Sequence, residues 1–316
     1  MRRRVLQNIS LGILAATLVA AVMPAFSVAD SQGSGSPEII KHRRNPHALD
    51  AVPSGSTGVV TPAIAYQGGP LIVLPNIYYI WYGNWNQTNG SDTPAGQQIL
   101  RDFANGIGAS PYFAINTTYS VPAFTINGSV GFGGEASDAY SRGKRLRDSD
   151  ILTIVKSALS TQKLPYDASG VYFVLTSSDV TESSGFCTKY CGWHTSGLTS
   201  FGRVRYSFIG NANRCLSACS AQSIGPNGNA GVDAMASIVA HELEEATTDP
   251  DPVSGWVDSR NYENADKCAW TFGQSLPVAP NGALYNMILG ARPFLIQRNL
   301  KHAAGGDTCN VDLTHQ

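Results

Sequence analysis

Residues 230–250 read AGVDAMASIVAHELEEATTDP, a stretch that joins an apolar helical pattern to a cluster of charged side chains. In a helix, each residue advances about 100° around the axis. The apolar residues of one narrow stripe are then Val232, Met235, Ala236, Val239, Leu243 and Ala246. This pattern predicts a helix over residues 231–247 that packs against a hydrophobic core. The Asp-Pro pair at 249–250 predicts the end of the helix, because proline cannot continue it.

The charged side chains fall on another face of the same predicted helix. His241 and Glu245 are four residues apart and therefore lie one turn apart on one face. Glu242 lies beside them, and Ile238 shares their face, so we expect a partly covered cleft. The layout is that of the zinc helix His-Glu-x-x-His with Glu245 at the position of the second histidine.

A metal site is one interpretation of this face, and a solvated polar face that binds nothing is the other. Glutamates at a helix C-terminus oppose the helix macrodipole, which favours a bound cation. His241 and Glu245 would be two ligands. The third would come from Asp249, Glu263, Asp266 or His194. One imidazole with carboxylates suits zinc, with Glu242 as general base, whereas calcium in a structural site is the alternative.

The N-terminal 65 residues are predicted to lie outside the folded domain. Residues 1–29 carry three arginines, an apolar run and a small-residue cleavage site, which predict a signal peptide. A retained membrane anchor is the alternative. Residues 30–65 are rich in Ser, Gly and Pro, so we expect a disordered linker or a pro-segment. The chain is therefore expected to be secreted, extracellular or periplasmic.

Charge and composition limit the classes of partner. The formal net charge is −1, and it becomes −4 once the three arginines of the predicted signal peptide are removed. Such a chain has no electrostatic reason to bind nucleic acid, or a membrane after signal removal. We expect a protein, a peptide or a cell-wall polymer as partner. The remaining length suits one large domain or two small ones.

Six cysteines lie in the second half of the chain, and an oxidising compartment favours disulfides over a four-thiolate zinc site. The Cys-x-x-x-Cys spacings favour the pairs Cys187–Cys191, Cys215–Cys219 and Cys268–Cys309. The last pair would connect the C-terminal tail to the segment that follows the predicted helix.

Further periodic segments alternate between strand and helix patterns. They are a buried strand or hairpin over 71–83, a helix over 94–106, two antiparallel strands over 111–133, a helix from 148, and strands at 171–175, 205–209 and 293–298. This alternation predicts an α/β (α+β) fold, in which a mixed β-sheet packs against helices. Its C-terminal portion should be rich in loops and held by disulfides.

Several of these segments resemble one known family in order along the chain. They are residues 79–85 (YIWYGNW), 99–103 (ILRDF), 185–187 (GFC), 191–194 (CGWH), 227–233 (NGNAGVD), 282–286 (GALYN) and 290–295 (GARPFL). In them the chain resembles the EXORDIUM, or phosphate-induced protein 1, family of plant cell walls and its bacterial relatives. The resemblance covers residues 66–312, which we take as one domain.

The resemblance implies an extracellular protein of a family that is associated with growth promotion in plants. With its His-Glu-x-x-Glu helix, the chain is similar to bacterial members, and its order of elements looks like the catalytic half of zincin peptidases. We therefore expect a zinc-dependent, peptidase-like hydrolase. The alternative is a non-catalytic wall-binding module with a structural metal, in which Trp81, Tyr82, Trp85 and Trp193 stack on sugars unless they are core residues.

Overall fold

The computed structural model describes residues 58–313 and the backbone of residues 40–43. The predicted signal peptide and most of the predicted linker or pro-segment lie outside the described residues. The helices are α1 (Pro94–Ile107), α2 (Asp148–Ser160), α3 (Leu216–Cys219) and α4 (Ala230–Thr248), with 3₁₀ turns at Phe113–Tyr119, Ala212–Arg214 and Asp266–Cys268. The strands are β1 (Ile40–Arg43), β2 (Ala65–Tyr66), β3 (Asn76–Tyr82), β4 (Gly131–Asp138), β5 (Arg145–Leu146), β6 (Gly170–Thr176), β7 (Thr181–Glu182), β8 (Tyr190–Thr199), β9 (Gly202–Ile209), β10 (Trp256–Val257), β11 (Met287–Leu289), β12 (Arg292–Phe294), β13 (Asn299–Lys301) and β14 (Thr308–Asn310).

A six-stranded mixed sheet with the order β1-β8-β9-β6-β3-β4 forms the centre of the fold. The strands β9, β6, β3 and β4 are parallel, whereas β8 runs antiparallel to β9. β1 pairs antiparallel with the outer edge of β8, with Ile40 opposite His194. The predicted mixed sheet with packed helices is confirmed, and β1 belongs to the segment for which the sequence predicts a linker or pro-segment.

The predicted elements with strong periodicity are confirmed. They are α1, α2, β6, β9 and α4, each within a few residues of its predicted bounds. Local capping explains where two helices begin: the Thr93 hydroxyl accepts a hydrogen bond from the Gly96 N–H, and the Asn229 side chain accepts one from the Val232 N–H. Both caps leave an apolar face of the helix directed at the sheet.

One prediction from short alternating runs is wrong, and the prediction of a buried strand or hairpin over residues 71–83 holds in part. Residues 111–133 do not form a pair of antiparallel strands, because a 3₁₀ turn occupies Phe113–Tyr119 and β4 pairs in parallel with β3. Residues 71–74 are not part of a hairpin, and only β3 belongs to the sheet. The sequence does not predict β8. Its apolar and polar residues do not alternate, because most residues of this strand are buried.

The disulfides correct two of the three predicted pairings. Cys268–Cys309 is confirmed, but the other bridges join Cys187 to Cys215 and Cys191 to Cys219. Cys215 is the N-cap residue of the short helix α3 and Cys219 is its last residue, whereas Cys187 precedes β8 and Cys191 lies in it. Two parallel bridges between these elements therefore form, and neither four-residue spacing closes on itself.

The aromatic side chains considered for sugar stacking belong to the core. Trp81 is 2% exposed, Trp85 6%, and Tyr82 and Trp193 are 0% exposed, so none presents a face to solvent. The described part of the chain contains no helix that is both long and apolar enough to cross a membrane.

Candidate metal centre

Helix α4 lies in the middle of the molecule, with both of its faces covered. Its side chains from Gly231 to Thr248 are buried, apart from a partly exposed Ala234. The partly covered cleft expected from the sequence is therefore wrong. Strand β8 and the segment 263–268 pack against the charged face and exclude solvent from it.

The two helix ligands predicted from the sequence meet a third side chain from that segment. His241 Nε2 lies 2.8 Å from Glu245 Oε1 and 3.7 Å from Asp266 Oδ1. The backbone N–H of Asp266 donates to Glu245 Oε1 at 3.0 Å. Ligand atoms of these three residues all lie within 4.8 Å of one another, a spacing at which the three side chains could share one metal ion.

A second group of side chains surrounds the other oxygen of Glu245. His194, on β8, has its Nδ1 atom 3.5 Å from Glu245 Oε2 and its Nε2 atom 3.6 Å from Glu263 Oε1. Ligand atoms of these three residues also lie within 4.8 Å of one another. Glu242 Oε2 lies 3.2 Å from His194 Nδ1. Glu242 and Glu245 thus both face β8.

Burial and mutual repulsion shift the pKa values of these groups. Burial raises the pKa of Glu242 to about 7 and that of Glu263 well above its usual range. Burial also raises the pKa of Glu245, but His241 and His194 outweigh it and hold that pKa at about 2. Burial lowers the pKa of His241, but the nearby carboxylates, Glu245 first, raise it to about 10.

Several oxygens at this site have no hydrogen-bond donor within residues 58–313. They are Glu242 Oε1, Glu245 Oε2 and both carboxylate oxygens of Glu263. All three residues are 0% exposed. A buried carboxylate oxygen without a donor costs on the order of 1–3 kcal/mol or more, so the donor set fits a cation.

The segment that carries Glu263 and Asp266 is held against α4 by neighbouring contacts. The Asn264 side chain donates to the Glu244 carbonyl at 3.3 Å, and Cys268 is bridged to Cys309. The predicted bridge between the C-terminal tail and this segment thus also positions two metal-ligand candidates.

Asp249 is not among the groups that converge. Its carboxylate accepts hydrogen bonds from the backbone N–H groups of Val253, Ser254 and Gly255, at 2.6, 3.0 and 2.6 Å. These bonds close the turn that follows α4. Only the Asp249 carbonyl approaches the site, 3.4 Å from His194 Nε2.

Two further buried residues beside the site have no motif that could reveal them. Glu244 accepts a hydrogen bond from Asn299 at 2.7 Å, and burial raises its pKa well above its usual range. The pKa of the Tyr112 hydroxyl is raised well above 10 by burial, and then by the charges of Glu244 and Glu245. Tyr112 lies in the region for which strands were predicted.

A small pocket with a cavity volume of about 20 Å³ lies along α4, one turn before the site. Its lining includes Ala234, Ser237, Ile238 and Trp270. Ala234 and Ile238 precede His241 and Glu245 on the same helix face, so the pocket extends that face towards the N-terminus of α4.

Comparison with known proteins identifies the family. The conserved region of phosphate-induced protein 1 matches residues 64–287. Protein EXORDIUM-like 3 of Arabidopsis thaliana is 30% identical over 286 residues, which cover 77% of this chain and 81% of the relative. Protein EXORDIUM-like 5 of the same plant is 29% identical over 298 residues, covering 79% of each.

No solved structure matches the chain, so the likeness to the catalytic half of zincin peptidases stays a prediction. The family match and the Arabidopsis relatives cover most of the described residues, including β3, β8 and α4. The chain belongs to the phosphate-induced protein 1 family.

Proposed function

We propose that this protein is a secreted, zinc-dependent hydrolase of the peptidase type. The observation that carries the proposal is the convergence of His241, Glu245 and Asp266, whose ligand atoms lie within 4.8 Å of one another. His241 and Glu245 are 0% exposed, and Asp266 is partly exposed. We also propose that the chain resembles bacterial members of the family in its His-Glu-x-x-Glu helix. The three disulfides suit a chain that matures in an oxidising compartment, extracellular or periplasmic.

The donor set favours zinc over calcium. Imidazole nitrogens and carboxylate oxygens are both zinc ligands, and three protein ligands leave a fourth position for water or substrate. Calcium takes six to eight oxygen ligands and has little use for imidazole. Since each group of converging side chains contains one histidine, we expect zinc to be preferred.

Glu242 is the residue placed to act as general base. A zinc ion in this position supplies Lewis-acid chemistry, because it acidifies a water molecule and polarises a carbonyl oxygen. Glu242 follows the ligand His241 directly, and its Oε1 atom has no hydrogen-bond donor within residues 58–313. Its other oxygen lies 3.2 Å from His194, which fixes the carboxylate in place.

Strand pairing supports an extended polypeptide as the substrate class. β8 is the strand that carries His194, and its outer edge pairs with the backbone of residues 40–43. The same backbone groups of β8 would bond to a peptide once residues 40–43 leave this edge. A peptide bound there would pass beside His194, next to the proposed ligands.

A second candidate function is a non-catalytic extracellular module with a structural metal. Complete burial favours it, since His241, Glu242 and Glu245 are each 0% exposed. Structural zinc sites are closed by four protein ligands, whereas catalytic sites keep an open position. In this case a partner protein or wall polymer would bind elsewhere.

Metal content and peptide hydrolysis together test the proposal. The purified chain should contain zinc, and His241→Ala should lower its zinc content. Glu242→Gln should keep the zinc but lower hydrolysis of a mixed peptide substrate about 100-fold or more. Glu182→Gln is the matched control, because Glu182 is also buried, at 3% exposed, but accepts hydrogen bonds from Ser184 and Tyr190 instead.

The alternatives give different results in the same assay. If the native chain and Glu242→Gln both contain zinc and neither hydrolyses peptides, the result supports the structural module. A native chain that holds calcium, or no metal, contradicts the zinc hydrolase.

A further inference from the structure

We propose that His194, Glu245 and Glu263 hold a second divalent cation, with Glu245 shared between the two ions. The inference rests on the proposed function, because it extends the site built around His241 and Asp266. It assigns a two-metal centre where the helix motif alone predicts a single zinc ion.

The first argument is the geometry of Glu245. Its Oε1 atom lies 2.8 Å from His241 Nε2, and its Oε2 atom lies 3.5 Å from His194 Nδ1. The two carboxylate oxygens therefore face two histidines from different elements, α4 and β8. A carboxylate in this arrangement can give one oxygen to each of two cations.

The second argument is Glu263. This side chain is 0% exposed, and neither of its oxygens has a hydrogen-bond donor within residues 58–313. Within the same residues its ion-pair partner is His194, whose Nε2 atom lies 3.6 Å from Glu263 Oε1. Glu263 is not part of the His241 group, so a single ion at His241, Glu245 and Asp266 leaves it unsatisfied.

The third argument is charge. Within residues 58–313, the ion pairs of Glu242, Glu245 and Glu263 involve histidines only. Metal binding requires neutral imidazole, so His194 and His241 bring no positive charge once they are ligands. With Asp266, the site holds four carboxyl groups; when all four are ionised, two divalent cations balance their charge and one does not.

A shared carboxylate also implies a definite chemical behaviour. In two-metal sites the ions lie roughly 3.5–4 Å apart and together stabilise the attacking and the departing oxygen or nitrogen. An ion held by His194, Glu245 and Glu263 would add a second Lewis acid to the site, with Glu242 beside it. Loss of the second ion is expected to weaken hydrolysis without abolishing the first site.

Metal stoichiometry of the full secreted chain, loaded with Zn²⁺ and measured by native mass spectrometry and elemental analysis, tests this centre. We expect two ions per chain in the native protein and one in His194→Ala and in Glu263→Gln. His302→Ala and Glu182→Gln are the matched controls and should retain two. His302 pairs with Asp307 outside the site.

Loading with Mn²⁺ gives an independent readout. Two ions that share the Glu245 carboxylate should show exchange coupling in their EPR spectrum, and His194→Ala should convert it to the spectrum of an isolated ion. Thermal unfolding of each variant without metal identifies any variant that has lost its fold. Glu263→Gln, which keeps the size of the side chain, remains informative if His194→Ala does not fold.

The outcomes separate this inference from the proposed function. One ion that His241→Ala removes and His194→Ala leaves in place overturns the second site, while the hydrolase remains. Two ions in a chain that hydrolyses no peptide support the second site and overturn the hydrolase. A chain that binds no ion overturns both.

Discussion

Glu245 takes the position at which a zinc helix carries its second histidine, and its neighbours explain the exchange. An imidazole at this position would have one nitrogen for the metal, whereas the carboxylate offers one oxygen to the side of His241 and one to the side of His194. The periodicity of the helix predicts that His241 and Glu245 are neighbours. It cannot reveal that His194, on a strand 47 positions earlier, lies opposite them.

At the residue scale, a testable prediction concerns Asp92, which lies away from the site. It is 0% exposed and accepts hydrogen bonds from the Ser178 N–H and the Asn211 side chain, at 2.9 and 2.7 Å. Those residues follow β6 and β9, so Asp92 joins loops at the same edge of the sheet. Asp92→Ala should lower the free energy of unfolding in urea by about 3 kcal/mol or more, because buried donors lose their acceptor.

An exposed ion pair is the control for Asp92. The Arg101–Glu135 pair is partly exposed, so Glu135→Ala should cost no more than about 1 kcal/mol. An Asp92→Ala loss as small as that of Glu135→Ala would contradict the role given to Asp92.

At the scale of elements, the approach of α4 to β8 requires a glycine. A Cβ atom on Gly192 would lie 2.6 Å from Ile238 Cγ2 and 3.1 Å from Glu242 Oε1. Gly192→Ala should therefore push the two elements apart and lower stability by about 1–3 kcal/mol. Because β8 carries His194, zinc affinity should fall as well.

The control for this substitution is Gly305→Ala, whose Cβ would meet no atom within 4 Å. Calorimetry and zinc titration of the two variants give the comparison. Equal zinc affinity for Gly192→Ala and the native chain would show that β8 and α4 can separate without disturbing the site.

A second prediction at the scale of elements concerns the two disulfides near α3 and β8. Non-reducing peptide mapping should recover Cys187 linked to Cys215 and Cys191 linked to Cys219. Replacing Cys191 and Cys219 together by serine should cost about 2–4 kcal/mol of stability. Recovery of peptides linked by Cys187–Cys191 would contradict the structure.

At the scale of the whole molecule, the proposed metal centre joins parts of the chain that are far apart in sequence. His194 lies on the sheet, His241 on the central helix and Glu263 on the C-terminal portion. A ligand that binds only the folded chain stabilises it by mass action, by about 3 kcal/mol when it is roughly 100-fold above its Kd.

Removal of metal by a chelator should therefore lower the Tm of the native chain by roughly 5–10 °C, as seen by differential scanning calorimetry. Added zinc should restore it. Glu245→Ala removes the ligand shared by both groups, so its Tm should not respond to the chelator. A native chain whose Tm is unchanged by chelator would contradict a metal that joins these elements.

The sequence by itself determined the elements whose signal is local. Helix α4, its stripe of apolar residues, the neighbouring positions of His241 and Glu245 and the central strand β6 all follow from periodicity and capping over a few turns. The mixed sheet follows from the alternation of such segments. The long motifs shared with the family are equally local, and they identify it.

Only the tertiary structure decided which distant residues meet. The choice of Asp266 and Glu263 over Asp249, the position of His194 and the pairing of four cysteines depend on how β8, α3 and the segment 263–268 pack around α4. Packing also buries the charged face of α4, for which the sequence predicts a partly covered cleft. The physical reason is that hydrogen-bond periodicity acts within one element, whereas burial and ligand geometry are set between elements.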